Sequence, residues 1–315
     1  MTIRLPISAI VPTIDRAAVL RRTLESLAAQ GALPAELIVV DGSTEDDAKA
    51  VVEQWGAAIA QATKTIFLRA SVAGAATQRN QGVAFATQPF VWFFDDDIRF
   101  ESECLARLWR AIDSDEALGG VNAMIVNQRY QPPGRVSRMM FALMNGRNAP
   151  TFAGKVLGPA VNLLPEDRDD LPKVVPTEWL NTTCTIYRRE ALPDPPFDSI
   201  FVGYSMMEDL ALSLRVAKRW RLANARTARI FHDSQPGRHK GDSAALAEME
   251  LINRHYVMTQ VLGRARSLDY ARLALWEAFQ FACSSAKGAR LRGKIRALRR
   301  LSRLTTTMRQ GGDAQ

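Results

Sequence analysis

Four large apolar residues, Val91-Trp92-Phe93-Phe94, run directly into three carboxylates, Asp95-Asp96-Asp97. An aromatic and β-branched run without polar alternation must be covered on both faces. That is the pattern of a parallel sheet flanked by helices, and ligands bind beyond the carboxyl ends of its strands. If the backbone stays extended past Phe94, Asp95 and Asp97 share one face and Asp96 takes the other. Two carboxylates facing one way make a hard-oxygen site suited to magnesium or manganese, which draw their other ligands from water and phosphate. The competing reading is an acidic start for a helix expected over residues 101–112, where the helix dipole favours negative charge.

The 315 residues, 47% of them hydrophobic, can bury a substantial core in one large domain or two smaller ones. Cys104, Cys184 and Cys283 lie far apart without metal-ligand spacing, which argues against a disulfide framework and fits a reducing, cytoplasmic setting. No signal peptide is expected, since Pro6 and Pro12 interrupt the first apolar run, and the best apolar stretch, residues 273–286, is short and holds Glu277.

The net charge of +8 is local: residues 287–303 contain eight basic side chains and no acidic one, leaving the rest of the chain neutral overall. Charge therefore gives no support to nucleic-acid binding by the body of the protein. Within residues 287–304, Leu291, Ile295, Leu298, Leu301 and Leu304 recur at helical spacing beside a basic face. Two readings stand: an interfacial helix drawn to an anionic membrane surface, or a solvated or docked helix, given Gly288 and Gly293 within it.

Along the chain, Ile7-Ser8-Ala9-Ile10-Val11 predicts a strand ending at Pro12-Thr13, followed by a helix that Asp15 can cap and Gly31 stops. Leu37-Ile38-Val39-Val40 predicts a second buried strand ending in Asp41, with Gly42-Ser43-Thr44 turning into another helix. A third strand, Ile66-Phe67-Leu68, precedes Gly74-Ala75-Ala76-Thr77-Gln78-Arg79-Asn80-Gln81-Gly82. There small residues permit close backbone approach, and Arg79 offers a planar donor fork for phosphate or a base edge. Neither a P-loop nor a dinucleotide-binding glycine pattern is present.

Pro12-Thr13, the Val39-Val40-Asp41-Gly42-Ser43 turn, Arg79-Asn80-Gln81-Gly82 and Phe94-Asp95-Asp96-Asp97 together resemble the nucleotide-binding half of family 2 glycosyltransferases. The resemblance implies the GT-A fold, an α/β architecture with a mostly parallel central sheet flanked by helices. It implies that Pro12, Thr13, Asp41, Arg79, Asn80, Asp95 and Asp96 contact the nucleotide sugar, Asp41 at the base, and that Asp97 holds the cation bridging the diphosphate. Ile14-Asp15 departs from the aromatic residue and asparagine that many members have there, which leaves nucleotide preference open.

Residues 131–175, rich in Pro, Gly and Asn, read as loops and short elements around an acceptor site. The segment from Glu178 to Glu190 resembles the part of the family that leads into a strand and helix behind that pocket. Trp179 is a candidate to stack on a sugar, with core packing as the alternative, and Asn181 is its companion acceptor contact. Glu208-Asp209 begins a helix predicted by Leu210, Leu212, Leu214 and Val216. It resembles the family's Glu-Asp motif, which makes Asp209 the general base of an inverting enzyme and Glu208 its support. Ala228-Arg229-Ile230-Phe231-His232 reads as a strand ending in an imidazole, a donor that suits transition ions, and His232 is the candidate further ligand. Helices are expected over residues 243–261, with Ser243 as cap, and over 273–281.

The expected organisation is a GT-A domain over residues 1–240, divided into a nucleotide-binding half (1–120) and an acceptor half (121–240), then a helical region over 241–315. The expected function is Mn2+- or Mg2+-dependent transfer from a nucleotide diphosphate sugar, UDP favoured over dTDP, to a saccharide or lipid-linked saccharide acceptor in cell-surface polysaccharide synthesis. Peripheral contact with the inner face of the membrane goes with that reading. The alternatives are a metal-dependent nucleotidyltransferase or sugar-nucleotide hydrolase, and a non-catalytic, membrane-associated nucleotide-binding protein.

Overall fold

A computed structural model describes residues 2–235 and 242–312, with side chains described through residue 303. The boundary expected at residue 240, the turn at Pro236-Gly237 and the side chain of Leu304 lie outside the described residues. The chain divides into two compact units. One comprises Met1–Pro132, Thr151–Val156 and Asn162–Gln235; the other comprises Pro133–Pro150, Leu157–Val161 and Pro236–Gln315.

The chain opens with β1 (Ile3–Thr13), α1 (Ala17–Ala28), β2 (Ala32–Asp41), α2 (Asp47–Ile59), β3 (Lys64–Arg69), α3 (Ala75–Phe85) and β4 (Phe90–Phe94). Then come β5 (Ile98–Phe100), α4 (Cys104–Asp113), β6 (Leu118–Ile125), α5 (Arg135–Asn145), β7 (Val156–Leu157), β8 (Val161–Asn162), β9 (Val174–Thr177) and β10 (Cys184–Arg188). The remainder is α6 (Glu208–Val216), β11 (Arg221–His232), α7 (Ser243–Tyr256), α8 (Ser267–Cys283) and α9 (Lys287–Gly312).

The first unit is built on a nine-stranded sheet of order β3-β2-β1-β4-β10-β6-β11-β5, with β9 added against β11. β3, β2, β1 and β4 run parallel, and β10 enters antiparallel between β4 and β6. Every residue of β4 is buried. Its side chains alternate: Trp92 and Phe94 join the core with Leu24, Leu105 and Leu108, whereas Phe93 meets Tyr187 and Phe197 on the other face. The two-faced burial expected from the apolar run is therefore present.

Several local expectations are corrected. The strand ends at Phe94, and a turn carries Asp96 and Asp97 into β5, so the helix expected from residue 101 begins only at Cys104. Asp15 does not cap α1. It adopts φ 53° and gives its N–H to Ser43 Oγ at 2.7 Å, while Arg16 takes the N-cap position. Helix α1 stops at Ala28, before Gly31. Residues 131–175 contain the three-turn helix α5, which their Pro and Gly content concealed. Asp242, not Ser243, caps α7, accepting from the N–H groups of Ala244 and Ala245.

Helix α3 lies close to β1 and β2 because Gly82 has no side chain: a Cβ there would stand 2.5 Å from Ile10 Cγ2 and 3.4 Å from Val40 Cγ2. Ile10 is fully buried in a central strand and has little room to retreat. Gly82→Ala is accordingly expected to lower stability by about 1–3 kcal/mol through overpacking. In urea unfolding followed by circular dichroism, the midpoint should fall with the slope unchanged.

Candidate functional site

The carboxyl edge of the parallel strands collects the chemistry in the first unit. Thr13 and Asp41 end β1 and β2 as register partners, and the acids follow β4 directly. Thr13 Oγ1 donates to Asp96 Oδ2 at 2.6 Å, and Arg16 Nη1 lies 3.4 Å from Asp96 Oδ1 and 3.3 Å from Asp97 Oδ2. Thr23 Oγ1 holds the turn by donating to the carbonyls of Asp96 and Ile98. Burial pushes the Asp96 carboxyl up to about 7, the Thr13 hydroxyl opposing and the Asp97 charge adding.

Asp97 behaves oppositely. Burial works against its charge, but His232, the Gln235 N–H and Arg16 together hold it below the usual carboxylate range. His232 Nε2 is 3.1 Å from Asp97 Oδ1, and Gln235 N–H donates to Oδ2 at 3.3 Å. Donor atoms of Asp95, Asp97 and His232 all lie within 4.8 Å of one another. Two carboxylates and an imidazole form a donor set that suits a divalent ion such as Mn2+ or Mg2+.

Arg79 joins this group to a second one. From α3 its Nη2 donates to Asp95 Oδ1 at 2.6 Å and its Nη1 to Glu208 Oε1 at 2.9 Å, and the side chain is 3% exposed. Its guanidinium also lies over the Phe197 ring at 5.8 Å. Burial opposes its charge, yet Asp95, Glu208 and Asp209 raise its pKa above the ordinary value. Glu208 and Asp209 form the first turn of α6, behind Met207 at φ 69°. Burial raises Glu208 to about 8, Asp209 adding and Arg79 opposing. Burial also raises Asp209 to about 6, against the Leu210 N–H and Arg79. One buried cation thus faces three carboxylates, and the excess negative charge must be met by a proton or another cation.

Helix α3 is held to the strand ends by Gln78, whose Nε2 donates to the carbonyls of Thr13 (2.9 Å) and Val40 (2.7 Å). Its Oε1 accepts from Gly74 N–H. Gly74 in turn bridges Gly203, where φ values of 61°, 56° and 69° at Gly203, Ser205 and Met207 bring the chain sharply into α6.

Asp41 is fully buried, its oxygens taken by Ser43 and by Arg69 Nη1 at 2.8 Å, with Arg69 the more exposed of the pair. Asn80 spends its amide on the Phe197 backbone, donating to the carbonyl at 2.8 Å and accepting from the N–H at 3.0 Å. Pro12 is half-buried inside β1. Trp179 is 5% exposed and gives its indole N–H to the Leu163 carbonyl. Asn181 is 6% exposed, with its Oδ1 unpartnered.

Sequence reasoning missed Arg16, Arg69, Gln78, Thr182 and Tyr204. Thr182 Oγ1 donates to Glu208 Oε1 at 3.4 Å. Tyr204 is 40% exposed beside the acids: burial raises its phenol pKa, and the charges of Asp95, Glu208 and Asp97 raise it further. The one available signal was the position of Arg16, directly after a strand-ending loop and at a helix start.

Residues 8–192 match the profile of the family described as glycosyl transferase family 2. A PGL/p-HBAD biosynthesis glycosyltransferase of Mycobacterium tuberculosis is 30% identical over 139 residues, 42% of this chain and 54% of the relative. The chain thus spans about half the length of the curated relatives it matches. Among solved structures, the mannosyltransferase PcManGT from Pyrobaculum calidifontis in complex with GDP-Man and Mn2+ is 17% identical with a TM-score of 0.53, covering 98% of this chain and 84% of that one. S. aureus TarS 1-349 in complex with UDP-GlcNAc is 19% identical with a TM-score of 0.55, covering 90% and 75%. These likenesses establish a common GT-A fold.

Asp96 and Glu208 keep their protons when folded at pH values where the unfolded chain has lost them, since their ordinary values are 3.8 and 4.5. Raised carboxyl pKa values contribute stability that is fully present below the ordinary values and lost as pH rises through the folded ones. Stability in chelator should therefore decline from about pH 4 to about pH 8, and Asp96→Asn should flatten the part of the decline below about pH 7. Urea midpoints across that range measure it; an unchanged slope in Asp96→Asn would contradict the Asp96 assignment.

Proposed function

The chain belongs to glycosyl transferase family 2, and from that premise we propose an inverting glycosyltransferase that moves a sugar from a nucleotide diphosphate sugar to a hydroxyl of a saccharide or lipid-linked saccharide. A UDP-sugar is the favoured donor, with dTDP-sugar as the alternative, and cell-surface polysaccharide assembly on the cytoplasmic side is the proposed setting. The proposed catalytic region is residues 1–240, with 241–315 as an appendage.

One observation carries this reading. Arg79 contacts at once Asp95, a member of the candidate ion-binding set, and Glu208, next to the proposed base. Donor activation and acceptor deprotonation must occur at adjacent atoms, and a continuous charged network between the two groups supports that arrangement. The bound GDP-Man with Mn2+ in one fold relative and the bound UDP-GlcNAc in another support a nucleotide-sugar donor and a divalent ion.

Asp97, Asp95 and His232 would hold the ion, which when bound supplies a Lewis acid offsetting charge on the departing diphosphate. Thr13 orients Asp96, and Arg16 lies against both Asp96 and Asp97. Asp209, raised to about 6, is mainly ionised at neutral pH and takes the acceptor proton as its oxygen bonds to the sugar carbon. Attack from the face opposite the leaving group inverts that carbon. Glu208 and Arg79 position the base and steady the charge beside it.

Asp209→Asn is expected to lower turnover about 10²- to 10⁴-fold while leaving donor affinity within about twofold. Asp97→Asn should abolish the dependence of UDP binding on Mn2+ or Mg2+. Calorimetric titration of UDP, dTDP, GDP and CDP with each ion and with chelator, alongside turnover, tests both. Normal turnover by Asp209→Asn would sink the base assignment, and failure of every nucleotide to bind would remove the donor reading.

A further inference from the structure

The second unit divides the basic helix α9 into two faces that the sequence does not distinguish. On the inner side, α9 packs on α7, Gly293 lying against the Ala244 carbonyl so closely that any side chain would collide. Glu250 accepts from Arg254 at 3.1 Å, Arg290 at 3.0 Å and Lys294 at 3.3 Å, and Lys294 also reaches Glu277 at 2.6 Å. Burial disfavours the charge on Glu250, but these three cations hold its pKa below the usual value. Two of the eight basic residues are thus consumed internally. Leu301 is half-buried, unlike the other described members of the expected apolar stripe.

The outer side is different. Leu291, Ile295 and Leu298 are 48%, 40% and 60% exposed, and the remaining basic residues of 287–303 are all exposed beside them. Asp242 lies near Arg292 and Arg296 and is engaged as the cap of α7. A second helix repeats the pattern. On α5, Val136, Met139 and Leu143 recur at spacings of three and four and are 65%, 70% and 51% exposed. Residues 133–150 contain three arginines and no acidic residue. Helix α5 is fixed within the same unit through α8, Phe141 lying 6.3 Å from Trp276 between ring centres.

We propose that these two helix faces form a docking surface for an anionic lipid bilayer, with the apolar side chains entering the interface and the arginines meeting lipid phosphates. Exposed apolar residues flanked by an excess of exposed basic side chains match a bilayer surface in both respects. A second copy of the chain would bring like charges together, which disfavours self-association through the same face. The inference does not rest on the glycosyl-transfer reading, and its test reads binding alone.

The full-length protein is sedimented with vesicles of phosphatidylcholine alone and of equal parts phosphatidylcholine and phosphatidylglycerol. Binding should be at least about tenfold tighter to the mixture and weaken as salt is raised. Arg292→Ser/Arg296→Ser/Arg299→Ser should lose about a hundredfold in affinity, since each basic residue near the surface contributes close to a factor of five. Val136→Ser/Met139→Ser/Leu143→Ser should lose about tenfold or more. The control Arg110→Ser/Lys218→Ser/Arg219→Ser removes the same charge from exposed positions of the first unit and should bind as the parent does. Circular dichroism shows that each variant is folded. Equal affinity for the two vesicle types, absence of binding, or losses no larger than in the control would overturn the proposal. So would a lipid-free dimer, seen by sedimentation velocity, that the α5 or α9 substitutions dissolve.

Discussion

The Arg79 guanidinium is the interaction on which the site depends. A buried cation is tolerated only where its charge is met, and Arg79 meets Asp95 and Glu208 with separate nitrogens. Its own place is set by backbone packing: Gly82 lets α3 approach β1, and Gln78 ties the helix to the ends of β1 and β2. The acids, for their part, take their direction from β4. Asp95 follows the parity of Phe93, toward Arg79 and Phe197, and not that of Trp92 and Phe94.

Much of this could be read from residue order alone. The unbroken apolar run Val91-Trp92-Phe93-Phe94 predicts a strand covered twice, and residues ending such strands converge on one edge of a parallel sheet wherever the helices lie. What escaped was decided by partners distant in sequence. Nothing near Asp41 announces that Arg69 will close over it, and nothing near Asn80 announces that the Phe197 backbone will absorb both halves of its amide. The partner of the Trp179 indole, the Leu163 carbonyl, is likewise set by distant packing. Helix α5 was hidden by flanking Pro and Gly, which punctuate its ends but leave its interior free of both.

Helix α9 teaches a related point about charge. Eight basic residues without an acid suggest a uniform surface, yet Glu250 and Glu277, on two other helices, pick out Arg290 and Lys294. Composition gives the sum of charges. Only the packing of α7, α8 and α9 decides which of them face water.

The long separations within the site bear on how the chain acquires it. Glu208 reaches Arg79 across 129 positions, and His232 reaches Asp97 across 135. Parallel pairing of β1, β2 and β4 can arrange Thr13, Asp41 and the three aspartates with Arg16, Arg69 and Arg79 from the first hundred residues, but Glu208 and His232 come from the far side of β10. Contacts of such sequence separation form late, since loop closure precedes their reward. The charged network at the strand ends is therefore also a clasp, joining the first hundred residues of the first unit to its last helix and strand.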